Sequence, residues 1–314
     1  MNFTQAIKSE IFSKDIKSNE RKKSFLAGVL RGGILYERDG EIGIEFKLDN
    51  ELGVQKISDY LLKVYNYEVR EISYLKDNRF NKEKIVINLY GANTEDIIED
   101  LKIIYDNNGI KSVNFSDFSD FIDDINSFKN FIQGLFISVG SCILPADNHS
   151  EKTGYHLELS FSHGEMASII SEKLLSNRIN NKITRRKDRF ILYVKSAEEI
   201  KDFLAFLGLS VSVFKITETM IEREIKNTSN RQKNCDLNNL NKQVEASAKQ
   251  LSAIQIIKQK RGLSSLKKPL QEVAEKRLEN PETSLIELAE ILNISKSCLN
   301  HRLRKIIEIA KDLG

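Results

Sequence analysis

Long apolar runs are missing from this 314-residue chain. No stretch approaches the roughly 20 residues that a membrane-spanning helix needs. The opening Met1-Asn-Phe-Thr-Gln-Ala-Ile-Lys-Ser-Glu-Ile has no apolar signal core. A cytoplasmic protein without a membrane partner is expected. Cysteine is scarce: Cys142, Cys235 and Cys298 stand far apart, odd in number and without a Cys-x-x-Cys pair. That pattern argues against a disulfide framework and a zinc site, and for buried or free thiols in a reducing compartment. Histidine is scarce too, at four residues. His156 and His163 flank a strand and are read as structural, because no Ser/His/Asp or Cys/His set can be placed around them. Gly28 and Gly33 have the spacing of a phosphate-binding loop but lack the Lys-Ser/Thr that should come next. No catalytic residue, no metal and no cofactor is expected.

A charge excess of one sign is also missing: the net charge is +3. Its distribution is more informative. From residue 216 onward the chain has 18 Lys+Arg against 13 Asp+Glu, whereas the rest has 30 against 32. Hydrophobic content of 40% and charged content of 30% give a globular chain with a sizeable core and two or three domains.

The basic surplus coincides with the clearest motif. Ser284-Leu-Ile-Glu-Leu-Ala-Glu-Ile-Leu-Asn-Ile-Ser-Lys-Ser-Cys-Leu-Asn-His-Arg-Leu-Arg-Lys-Ile reads as a helix-turn-helix. Leu285, Leu288, Ala289 and Leu292 share one face at helical spacing. Asn293-Ile294-Ser295 makes the turn, and Ser295 can cap the second helix. In that helix Leu299, Leu303 and Ile306 point inward, while Lys296, Ser297, Asn300, His301 and Arg304 point out. Four Lys or Arg residues and no acid occur from 296 to 306. Cations and amides on such a face suit the base edges of a DNA major groove. Lys296, Ser297, Asn300, His301 and Arg304 are therefore the expected base-facing residues. Arg302 and Lys305 are expected phosphate contacts, as are Lys258, Lys260 and Arg261 on the approach to the motif. Double-stranded DNA is the expected partner, which makes the protein nucleoid-associated.

The first two-thirds contain an internal repeat. One copy opens with Phe25-Leu-Ala-Gly-Val-Leu-Arg-Gly-Gly-Ile-Leu, the other with Phe131-Ile-Gln-Gly-Leu-Phe-Ile-Ser-Val-Gly-Ser, so that Gly28 and Gly134 correspond. Strands at 42–46 and 155–161, helices at 52–65 and 164–175, strands at 84–90 and 189–195, and acid-rich helices at 93–105 and 196–207 complete the two copies. This order predicts two pseudo-symmetric α+β halves. A helix-interior glycine costs about 1 kcal/mol relative to alanine. Close packing of the two opening helices, backbone to backbone at Gly28 and Gly134, is the expected reason for both. The divisions are 1–118 and 119–215 for the halves, 216–250 for an Asn-rich polar linker with helical flanks, and 251–314 for an all-α helix-turn-helix domain. Arg185-Arg-Lys-Asp-Arg reads as a solvated loop between a helix and a strand.

Leu26-Ala-Gly-Val-Leu-Arg-Gly-Gly resembles the LAGLIDADG motif of homing endonucleases, and Ile132-Gln-Gly-Leu-Phe-Ile-Ser-Val-Gly is similar. In those enzymes an acid at the end of each motif holds a divalent metal. Here Gly33 and Val139 stand at those positions, and neither offers the hard oxygen that Mg²⁺ needs. The whole chain resembles the WhiA regulators of Gram-positive bacteria, a degenerate LAGLIDADG-like domain followed by a helix-turn-helix. The likeness rests most on Gly154-Tyr-His-Leu-Glu-Leu, on Asn230-Arg-Gln-Lys-Asn-Cys-Asp-Leu-Asn-Asn-Leu-Asn-Lys and on Ser284 through Leu313. It implies a non-enzymatic DNA-binding transcriptional regulator acting in cell division and chromosome segregation, and in sporulating relatives in sporulation. Two alternatives stand beside it. One is a metal-dependent nuclease with displaced acids at Glu37, Asp39 or Asp147. The other is a scaffold whose repeat domain binds RNA polymerase or another transcription factor.

Overall fold

The computed structural model describes residues 2–77, 82–91, 93–107, 110–145 and 154–313. Asp147 lies outside the described residues. The chain divides into two compact units, Met1–Glu222 and Arg223–Gly314.

The first unit opens with α1 (Phe3–Ser13), whose start is closed by a capping box between Asn2 and Gln5. The first copy of the repeat then runs α2 (Asn19–Leu30), β1 (Ile34–Arg38), β2 (Glu41–Leu48), α3 (Glu51–Tyr65), β3 (Glu71–Asp77), β4 (Lys82–Leu89) and α4 (Thr94–Asp100). A two-stranded hairpin, β5 (Ile104–Asn107) and β6 (Ile110–Val113), separates the copies. The second copy runs α5 (Ile125–Val139), β7 (Gly140–Ile143), β8 (His156–Phe161), α6 (Gly164–Ser176), β9 (Lys182–Arg186), β10 (Arg189–Val194) and α7 (Ala197–Phe206). Both four-stranded sheets are antiparallel and have the same order, β1-β2-β4-β3 and β7-β8-β10-β9. This is an α+β fold of two pseudo-symmetric LAGLIDADG-like repeats.

Period-two alternation sets which face of each sheet is covered. Ile44, Phe46 and Leu48 pair with Leu89, Ile87 and Ile85, and all six are buried. In the second sheet Leu157, Leu159 and Phe161 pair with Val194, Leu192 and Phe190. The opening helices α2 and α5 are buried on nearly every side along their C-terminal halves, which is why they read as apolar all round. They cross at their glycines. A Cβ on Gly28 would lie 2.2 Å from the carbonyl oxygen of Phe131, and one on Gly134 would lie 2.1 Å from that of Phe25. Neither clash can be relieved by turning a side chain, because both obstacles are backbone.

Three features of this unit depart from the sequence expectation. The expected strands are the inner pairs β2/β4 and β8/β10; the edge strands β1, β3, β7 and β9 and the β5–β6 hairpin are not expected from the sequence. The helix expected over 93–105 ends at Asp100, and the chain turns at Lys102 with φ 51° into β5. The β-branched and aromatic Ile103-Ile104-Tyr105 favours strand pairing over a further helical turn. Arg185-Arg-Lys-Asp-Arg is a β-hairpin, Arg185 and Arg186 in β9 and Arg189 in β10, turning at Lys187 with φ 54°.

The largest departure is α8 (Ser210–Lys260), one helix of 51 residues where a polar linker is expected over 216–250. The unit boundary falls inside it. No residue from 217 to 249 is buried, so tertiary packing does not explain the helix. Its sequence contains no Gly and no Pro. Asn weakens a helix by only a fraction of a kcal/mol, against about 1 for Gly and 3 for Pro. Side-chain pairs one turn apart, such as Gln232 Nε2 to Asp236 Oδ1 at 3.2 Å, add local support. Its N-terminus is held by the buried carboxylate of Glu10 in α1, which accepts from the backbone N–H groups of Val211 and Ser212 at 2.9 and 2.8 Å.

The second unit is all-α: the C-terminal part of α8, then α9 (Lys268–Glu279), α10 (Leu285–Ile291) and α11 (Lys296–Lys311). Ala253, Ile254, Ile257, Val273, Leu288, Leu299, Leu303 and Ile306 form its core.

Candidate nucleic-acid interface

The geometry of α10 and α11 follows from three local rules. Ser284 and Glu287 form a reciprocal capping box that starts α10. Asn293 ends it in the left-handed region with φ 50°, which Asn tolerates better than most side chains, and the Ile294 N–H returns to the Ala289 carbonyl at 3.0 Å. Ser295 then caps α11 by accepting from the Cys298 N–H at 3.2 Å. The short turn leaves α10 and α11 sharing one core through Leu288, Ala289, Leu299 and Leu303.

With Leu299, Leu303 and Ile306 fixed inward, helical periodicity sends Lys296, Ser297, Asn300, His301 and Arg304 to the opposite side. These five side chains line one open concave surface. No acidic residue occurs between positions 296 and 307. Lys305 is exposed at the margin of that face. Arg302 sits differently: it is half-buried, and its Nη1 donates to the Pro269 carbonyl at 3.4 Å. Lys258, Lys260 and Arg261 are exposed at the end of α8 and are not among the residues lining the α11 surface. The Lys260 Nζ donates to the carbonyl of Leu313.

In the first unit, Gly33 and Val139 stand where the LAGLIDADG resemblance would place metal-holding acids. Both line a single cavity of about 410 Å³ at the C-terminal ends of α2 and α5. Among the described residues its polar lining comprises Arg31, Asn114, Ser160, Ser162, His163 and Arg189, with no Asp or Glu. Among the described residues no group of three His, Cys, Asp or Glu side chains is placed to hold a metal ion. Glu37 lies in β1, and Asp39 is largely exposed in the following turn at φ 53°. His156 contacts Glu158 Oε2 at 2.9 Å and stacks on Tyr193. His163 stacks on Phe115 with ring centroids 3.5 Å apart. Sequence reasoning does not find this cavity, because its residues come from eight separate helices and strands and the loops between them. Nor does it find the environment of Arg31. That guanidinium lies against the rings of Phe118, Phe121 and Phe131 and donates to the carbonyls of Ala27, Leu101 and Lys102. Burial pushes it down to about 9.

The WhiA LAGLIDADG-like domain profile matches residues 128–226, and the WhiA C-terminal HTH domain profile matches residues 229–310. A protein of Clostridium novyi named "Probable cell division protein WhiA" is 31% identical, the alignment covering 100% of this chain and 98% of that one. A protein of Enterococcus faecalis with the same name is 32% identical, with 100% and 98% covered. The chain belongs to the WhiA family. The crystal structure of full-length WhiA from Thermatoga maritima aligns with 100% of this chain and 99% of its own, at a TM-score of 0.57 and 27% identity. The WhiA helix-turn-helix profile begins inside α8. No helix among the described residues is long and apolar enough to cross a membrane.

Proposed function

We propose that this protein is a sequence-specific DNA-binding regulator that acts without cleaving DNA, and that its targets belong to cell division and chromosome segregation. The observation that carries the reading is the α11 surface, where Lys296, Ser297, Asn300, His301 and Arg304 converge with no acid among them. Lys and Arg there can reach guanine edges, and Asn300 can pair with adenine in bidentate fashion. Ser297 can donate to either bases or phosphates. Lys305 supplies a phosphate contact at the margin of that face, and Lys258, Lys260 and Arg261 supply further phosphate contacts from the end of α8. Arg302 serves both α9 and DNA, one N–H being engaged by Pro269. The names of the Clostridium and Enterococcus relatives support the cell-division setting, and a DNA ligand places the work at the nucleoid. Transcriptional control is the form of regulation that a helix-turn-helix fits best. RNA polymerase or another transcription factor is the second partner proposed, met at the DNA site. The reading without cleavage is supported by Gly33 and Val139, which lack oxygen ligands for the metal that phosphodiester cleavage would need.

Fluorescence anisotropy of the whole protein against promoter fragments from cell-division genes tests this reading. The expected result is a fragment bound at least 10³-fold more tightly than bulk DNA at physiological salt, with affinity falling linearly on a log–log salt plot. Equal affinity for every fragment would remove the claim of specificity. Supercoiled plasmid incubated with the protein and Mg²⁺ or Mn²⁺ should stay intact; nicking lost in Glu37→Gln would restore the nuclease.

A further inference from the structure

The cavity at the shared end of α2 and α5 has a chemistry that DNA reading by α11 does not use. We propose that it binds a small phosphate ester, of nucleoside monophosphate size, held by Arg189, Ser160, Ser162 and His163. The first argument is charge. Among the described residues the lining carries two guanidinium groups and an imidazole and no carboxylate, so the enclosed field favours an anion.

The second argument is preorganisation. Arg189 at the mouth donates from Nε to Ser160 Oγ at 3.1 Å, from Nη1 to Ser162 Oγ at 2.9 Å and from Nη2 to the Ser160 carbonyl at 2.8 Å. A guanidinium has five N–H donors. Three anchor the fork to β8 and the loop after it, leaving one on each terminal nitrogen for a planar or tetrahedral oxyanion. Both serine oxygens lie beside that fork, and the stack on Phe115 fixes the His163 ring. Arg31 also lines the cavity and adds a second positive charge beside it, its guanidinium being held by the carbonyls of Ala27, Leu101 and Lys102.

The third argument is shape. Ile44, Phe161, Met166 and the Phe115 ring give the cavity apolar walls. About 410 Å³ falls within the ordinary range for small-molecule pockets. A ligand with a charged head and a flat apolar body matches this combination better than inorganic phosphate alone. The metal-holding corner of the LAGLIDADG arrangement would thus have changed the sign of its charge: acids that attract a cation are replaced by neutral residues beside arginines that attract an anion.

Isothermal titration calorimetry on the full chain tests the proposal, with AMP, GMP, CMP, UMP, inorganic phosphate and a short duplex as probes. One mononucleotide should bind with 1:1 stoichiometry and a submillimolar Kd, more tightly than phosphate. Arg189→Ala should weaken it at least tenfold, and Ser162→Ala should weaken it by less. Arg304→Ala should leave it unchanged while impairing duplex binding, so that failure here is distinguishable from failure of the DNA reading. Thermal melting of Arg189→Ala beside the parent checks that the fold persists. Equal affinity in the Arg189 variant, heat from no mononucleotide at millimolar concentration, or an Arg189-dependent response to duplex alone would each overturn the proposal.

Discussion

The carbonyl oxygen of Phe131 occupies the space where a side chain on Gly28 would begin, and Gly134 stands in the same relation to Phe25 on the opposite helix. The two contacts are symmetric because α2 and α5 are equivalent members of the repeat. Both obstacles are main chain, so accommodation requires the helices to separate and the packing of Leu26, Val29, Phe131 and Leu135 to loosen. Gly28→Ala and Gly134→Ala should each destabilise the first unit by about 1–3 kcal/mol or more. Calorimetric melting should show a midpoint lowered by roughly 3–10 °C. Gly40 in the turn after β1 is the comparison position. A Cβ there meets nothing within 4 Å, and its φ of 79° adds only local backbone strain.

Glu10 ties the first helix to the start of α8, far away in sequence. Its carboxylate accepts two backbone N–H bonds and the Ser212 hydroxyl at 2.6 Å. These are orphan donors of a helix N-terminus, and the negative charge sits at the positive end of the helix dipole. Glu10→Ala should cost about 1–3 kcal/mol by stranding those donors in a buried place. Amide hydrogen exchange should show lost protection concentrated at Val211 and Ser212. Unchanged protection there would contradict the assigned role.

The cysteines should separate cleanly by reactivity. Cys142 is buried in β7, where burial pushes its thiol up to about 12, whereas Cys235 is exposed on α8. The thiolate is the reactive form, so iodoacetamide at neutral pH should label Cys235 first and Cys142 only after unfolding. The same shift bears on stability. The folded state holds the Cys142 proton more tightly than the unfolded chain, whose thiol titrates near 9. Its contribution is full below that pH and declines as pH rises toward 12. Peptide mass mapping after timed alkylation checks the order.

Much of this architecture was legible in the sequence because it follows from periodicity. The helices and inner strands of both copies and the inward stripe of Leu299, Leu303 and Ile306 all depend on residues close together in the chain, whereas the edge strands β1, β3, β7 and β9 carry no such pattern. The Ser295 cap is equally local. The segment 216–250 misleads because Asn density looks like a linker, while the informative feature is the lack of Gly and Pro across α8. The 93–105 helix is cut short by Ile103-Ile104-Tyr105, whose strand partner lies beyond the reach of helical periodicity. Glu10 on Ser212 and Arg189 on Ser160 and Ser162 are tertiary contacts between residues with no shared local pattern. The same holds for the cavity beside Gly33 and Val139. The motif shows which acids are missing there, but only the packed sheets show which cations surround the space.

On α11, two neighbouring cations should behave differently. Arg304 lies among the five residues of the concave face, while Lys305 stands at its margin. Arg304→Ala should weaken binding to the preferred site by about 1–3 kcal/mol and narrow its advantage over other DNA. Lys305→Ala should weaken all duplexes nearly equally and lower the salt slope by about one. Anisotropy titrations at several salt concentrations distinguish the two patterns.

The most direct test of the central claim is selection from sheared genomic DNA by the purified whole protein at near-physiological salt with Mg²⁺, sequencing both the bound fragments and their ends. The account predicts one shared motif with intact ends, and loss of that enrichment in Arg304→Ala. Uniform, salt-labile recovery without a motif, or recurrent new ends at one sequence, would contradict it.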